Sequence, residues 1–134
     1  MADRWEQFGA NWYVLLKVFG GYLSGVNQPD AWHQYGPASA VQVHRDSYVI
    51  SPGFWHYNEA NPRLKRESLA FSQPGTAPVA DWDANVRAMT TSGKPWQLVT
   101  TFSEWGEATA VDEATEWQSA GRGYYLDVLH TDGQ

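Results

Sequence analysis

Apolar residues in this chain gather into short runs separated by polar stretches carrying Gly and Pro. The first run, WYVLLKVFGGY (12–22), is continuous rather than alternating and rich in aromatic and β-branched side chains. It stops at Gly20-Gly21. That pattern predicts a strand buried on both faces, as in parallel sheets. SYVISPGFW (47–55) predicts a second strand, interrupted at Pro52-Gly53, and WQLVTTF (96–102) a third. Residues 23–39, with Gly25, Asn27, Pro29 and Asp30, and 58–80, with Pro62, Pro74, Gly75 and Pro78, read as connections. The second is long enough to suggest a functional loop.

Helical spacing is clearest in DWDANVRAMTTSG (81–93). Trp82, Val86 and Met89 recur at i, i+4 and i+7, Asp81 stands at the cap position, Gly93 can stop the helix and Pro95 prevents its resumption. GYYLDVLH (123–130) predicts a final helix with Tyr125, Leu126 and Leu129 on one side. Shorter helices are expected near 3–8, with Asp3 as cap, and 113–120. Short apolar strands alternating with helices indicate an α/β fold with parallel strands, here one domain over residues 1–134. Ligands of such sheets bind beyond the carboxyl ends of the strands. The polar-aromatic clusters AWHQY, GFWHYNE and SEWGEAT each follow a predicted strand.

Composition narrows the function. The chain has 134 residues, 43% of them hydrophobic, so a packed core is expected. A net charge of −6 argues against nucleic acid, whose phosphates need a basic patch. No apolar run approaches the ~18–20 residues of a membrane helix, and the first residues lack the basic-then-apolar order of a signal peptide. A cytoplasmic protein, or a secreted one whose leader was removed, fits equally. Cysteine is absent, which excludes disulfides and thiolate metal sites. The eight Trp, seven Tyr and five Phe are the unusual feature. Indole and phenol rings offer a flat apolar face and a polar edge, which suits the C–H faces and hydroxyls of sugars. A Trp-rich core would give the same counts.

Three clusters carry the candidate chemistry. In LVTTFSEWGEAT (98–109), Glu104 and Glu107 bracket Trp105 and Gly106. Two carboxyl groups are the minimal equipment of glycoside hydrolysis, one as acid and one as nucleophile or base. Gly106 lets the backbone turn so that both face one pocket, and Trp105 offers an apolar wall that would keep one acid protonated. Two ordinary surface acids share the same spacing. In FWHYNEANPRL (54–64), Trp55, His56, Tyr57 and Glu59 suit a polyhydroxylated ligand, as do Trp32, His33 and Tyr35 in AWHQYGP (31–37). A core histidine is the alternative for His33. His56 and Glu59 fall short of the three or four ligands a metal needs, and neither H-E-x-x-H nor an EF-hand pattern occurs. Nucleophile-elbow, P-loop and dinucleotide fingerprints are also absent, so no metal or cofactor is expected.

The string Phe102, Glu104, Trp105, Glu107 and Thr109 resembles the FNEWxEGTxxE motif of endo-α-mannosidase-type glycoside hydrolases, family 99 and its bacterial relatives. The resemblance is clearest over 96–130 and extends plausibly back to residue 12. It implies a (β/α)8 barrel with this motif after a late strand. It also implies Glu104 as the base acting on the sugar's 2-hydroxyl to form an anhydro-sugar, and Glu107 as acid and then base. Asp112 lies near the family's trailing acid. Ser103 stands where the family has Asn, and Ala108 where it has Gly, so the turn geometry is expected to differ. A whole barrel takes ~250 residues, so the resemblance implies its C-terminal half. The open edges of a half-barrel would be completed by a second copy. A fragment or a remodelled small α/β fold is the other solution. The activity expected is hydrolysis of α-mannosides or related glycans. A non-catalytic carbohydrate-binding or assembly protein on the same fold is the alternative.

Overall fold

A computed structural model describes residues 12–54, 82–113 and 123–133. Among them lie strands β1 (Leu15–Lys17), β2 (Ala31–His33), β3 (Val41–Val43), β4 (Ser47–Ile50) and β5 (Trp96–Val99). The helices are α1 (Trp82–Thr91), between β4 and β5, and α2 (Tyr124–His130). β1 and β2 form a parallel pair in the register Leu15↔Ala31, Leu16↔Trp32 and Lys17↔His33. The second sheet has the order β3-β4-β5. β4 runs antiparallel to β3 and parallel to β5, which it meets from Ser47↔Trp96 to Ile50↔Val99.

This arrangement corrects the expected half-barrel. Among the described residues there are two helices and two small sheets, one of them mixed, rather than parallel strands in regular alternation with helices. Two connections account for the difference. The chain between β1 and β2 spends its length on consecutive turns, with Tyr22 N–H donating to the Phe19 carbonyl (3.2 Å) and Gly25 N–H to that of Tyr22 (3.1 Å). A parallel connection is usually a helix, and here turns replace it. After β2 the chain folds back as a hairpin, closed at His44-Arg45-Asp46 by His44 N–H donating to the Ser47 carbonyl (2.8 Å). Completion by a second copy is an expectation attached to the open half-barrel, a fold that does not form here.

The run 12–22 forms only a three-residue strand, and Phe19 and Tyr22 beyond it face outward. Strand β5 ends at Val99, three residues short of the expected end at Phe102. Both helices form close to where the spacing puts them. Trp82, Val86 and Met89 are the buried face of α1, and Gly93 past its end has φ 67°. On α2 the fully buried pair is Tyr125 and Val128, with Leu126 and Leu129 half-buried against the same core. Asp81, the helix expected at 3–8 and residues 114–120 of the other short helix lie outside the described residues.

The core gathers Ile50 of β4, the buried face of α1, Val111, and Tyr125 and Val128 of α2. Trp82 has 0% of its surface exposed, meets the Tyr125 ring edge-on at 5.1 Å, and donates its indole N–H to the Tyr125 carbonyl at 3.2 Å. The Tyr124 hydroxyl donates to Asp83 Oδ1, and Arg87 Nη1 donates to the Gly133 carbonyl. Gly133 (φ 77°) sits so close to the α1 backbone that a Cβ would stand 2.5 Å from the Asp83 carbonyl oxygen. Trp82→Ala is expected to cost about 3–5 kcal/mol, the range for emptying a large aromatic site. Trp105→Ala, at a half-exposed position, should stay within about 1 kcal/mol. Urea midpoints of the two variants against wild type check the contrast.

Candidate functional site

Parallel pairing places the carboxyl ends of β1 and β2 side by side, with Lys17 opposite His33. Tyr35 follows two residues later. In the second sheet, β5 delivers the chain to the loop 100–112, which carries both glutamates. The two sheets meet here: the Tyr35 hydroxyl donates to Glu107 Oε2 at 3.2 Å, across 72 residues of sequence. Partial burial of Tyr35 first, then the charges of Glu107 and Glu104, push its phenol pKa up. The phenol therefore keeps its proton at neutral pH and serves as a donor. On its other side, Lys17 Nζ lies 5.2 Å from the Tyr35 ring centre and 5.4 Å from that of Phe19, within cation–π range.

The loop is closed on itself. Thr101 N–H donates to the Thr109 carbonyl (2.9 Å), and Val111 N–H to the carbonyls of Thr101 (3.2 Å) and Phe102 (3.0 Å). The Thr100-Thr101 peptide is cis. A single 3-10 turn, Trp105–Glu107, ends at Ala108 with φ 53° and ψ 33°. The left-handed residue is thus Ala108, the position where the resemblance leads one to expect glycine. Gly106 has another role: a Cβ there would come within 3.2 Å of Glu104 Oε1, so glycine leaves space for that carboxylate. Trp105 is 52% exposed and Phe102 63%. Trp105 therefore offers an open ring face rather than the closed apolar wall expected from the sequence.

The structure brings Tyr35, Glu104 and Glu107 together and sets His33 beside Lys17. Trp32 has a different task. Its indole N–H donates to Gln28 Oε1 (2.9 Å) and its carbonyl accepts from Ser47 Oγ (2.8 Å), which ties β2 to β4. Trp55, His56, Tyr57 and Glu59 lie outside the described residues. Among the described residues no three acidic or histidine side chains converge to hold a metal ion. Lys17, Phe19 and Thr101 join the site without belonging to any motif, whereas Thr109 belongs to the family-like string. For Lys17 the sequence does hold a signal, a lone charge inside an apolar run.

His33 is half-buried, and desolvation first, then the charges of Lys17 and His44, lower its pKa below 6.5. The unfolded chain therefore binds a proton more readily than the fold. The stability tied to neutral His33 is complete above 6.5 and is lost as pH falls from there through the lowered folded value. His33→Gln should thus flatten the decline in urea midpoint between about pH 7.5 and about pH 5.5. At Ala108, a β-branched side chain fits the left-handed backbone poorly, so Ala108→Val is expected to cost about 1–2 kcal/mol and Ala108→Gly to cost nothing. Thermal melts of both variants decide this. No family model matches this chain, and neither does any curated protein or solved structure, which leaves its side chains as the basis for a functional reading.

Proposed function

We propose that the face built by Tyr35, Phe102, Trp105, Glu104 and Glu107 binds carbohydrate. The observation that carries the reading is the pairing of exposed aromatic rings with carboxylates on one self-closed loop. Phe102 and Trp105 stand open to solvent on the same segment that presents both acids. Flat rings take the C–H face of a sugar, and carboxylates accept hydrogen bonds from its hydroxyls. The Tyr35 hydroxyl, already on Glu107, extends the row of polar groups. Because the loop is tied at both ends, little ordering accompanies binding.

Hydrolysis is the second reading. It is favoured by the Tyr35 hydroxyl on Glu107, with the charge of Glu104 also acting on that phenol, and by the likeness of the 102–109 string to the mannosidase motif. In it Glu104 would act on the 2-hydroxyl of an α-mannoside and Glu107 as acid and then base. Binding is preferred because a general acid that works near neutrality needs a desolvated carboxyl. Glu107, the acid of that reading, is only half-buried, and Trp105 leaves the loop open to water.

Calorimetric titration with α-mannosides and mixed glycans tests both. Trp105→Ala should weaken binding more than about tenfold, the scale of one lost base- or sugar-sized stacking contact. Glu104→Gln keeps a hydrogen-bonding group and should hold affinity within about threefold. Glycan release by wild type that disappears in Glu104→Gln and Glu107→Gln would establish the second reading. Absence of binding to every glycan would overturn both.

A further inference from the structure

Thr109 is buried completely, with 0% exposure, and Thr101 is half-buried beside it. Valine has the same shape as threonine and no polar atom to desolvate, and leaving a buried hydroxyl unpaired costs ~1–3 kcal/mol. The Thr109 hydroxyl must therefore be in use, and the bonds of both hydroxyls converge on one residue. Thr101 Oγ1 accepts the Glu104 N–H at 3.2 Å. The two hydroxyl oxygens lie 2.8 Å apart. Thr109 Oγ1 reaches the Glu104 carbonyl at 3.4 Å.

Each hydroxyl has one proton, which fixes the direction. Glu104 N–H donates to Thr101 Oγ1, Thr101 O–H donates to Thr109 Oγ1, and Thr109 O–H donates to the Glu104 carbonyl. The chain of donors closes on the peptide groups of the residue where it began. Thr109 N–H adds a backbone bond to the same carbonyl at 3.3 Å. The Glu104 carboxylate takes no part in this ring, so the backbone is fixed while the acid stays available. Glu107 is three residues on, at the end of the single turn that leaves Glu104.

We propose that Thr101 and Thr109 are the positioning residues of this loop, a paired-hydroxyl clamp that sets the backbone of Glu104 and, through the turn, the place of Glu107. The effect on ligand rests on the carbohydrate reading above, whereas the clamp itself does not. The bonds of such a ring strengthen one another, so losing either hydroxyl weakens what remains.

The test uses Thr101→Val, Thr109→Val and their double variant, with Thr101→Ser and Thr109→Ser as conservative rescues. Amide hydrogen exchange at Glu104 is read by NMR on the intact chain, and glycan affinity by calorimetry. Each Val variant should speed Glu104 exchange and weaken binding by about tenfold, the double variant should do no more than a single one, and the Ser variants should stay within about threefold of wild type. Additive losses, unchanged exchange in the Val variants, or Ser variants as impaired as Val would overturn the clamp. The partly exposed Thr101 site keeps the test decisive if Thr109→Val fails to fold. Glycans that bind no form of the protein would overturn the carbohydrate reading alone, with Glu104 exchange still deciding the clamp.

Discussion

Strand β4 is hydrogen-bonded along both edges, to β3 on one side and β5 on the other, and α1 packs across it. Its residues explain why it holds this place. Ser47, Val49 and Ile50 are all buried, and a strand with partners on both sides must satisfy every backbone group there. Ser47 goes further, because its hydroxyl donates to the Trp32 carbonyl and so joins the second sheet to the first. The core beneath α1 and α2, the exit of β5 into the acidic loop and the position of β2 all follow from this one short strand.

What could be read from the sequence depended on how local its cause was. Helix α1 is legible because Trp82, Val86 and Met89 repeat at the helical period and are buried for that reason. Strands β2 and β3 are three residues each and mix Ala, Trp, His and Gln with Val, so no periodicity announces them. The run 12–22 misleads in the opposite direction. Continuous apolarity suggests burial on both faces, yet Phe19 and Tyr22 are exposed, because surface area remains largely apolar even in folded chains. Strands alternating with helices suggest a parallel α/β sheet, and the family resemblance implies a barrel half. The hairpin at His44-Arg45-Asp46 overrides it through a turn whose partners are set by tertiary pairing.

The same division runs through the site. Glu104, Glu107 and Tyr35 are visible as chemistry, and their place beyond strand ends follows from parallel pairing. That Tyr35 meets Glu107 could not be read, since their contact spans the whole of the second sheet in sequence. The threonine ring is equally hidden. Threonine in LVTTF is expected of any strand, and only the closed loop reveals that the Thr101 hydroxyl faces that of Thr109. The result is a backbone hydrogen-bonded to itself under open side chains.

The bond between Tyr35 and Glu107 has a thermodynamic corollary. It belongs at once to the loop and to the junction of the two sheets. A ligand hydroxyl that takes the Glu107 oxygen facing Tyr35 competes with the fold for the same lone pair. Occupancy of the face and adhesion between the sheets are then linked functions of one exchange, in which affinity is moderated by the contact surrendered.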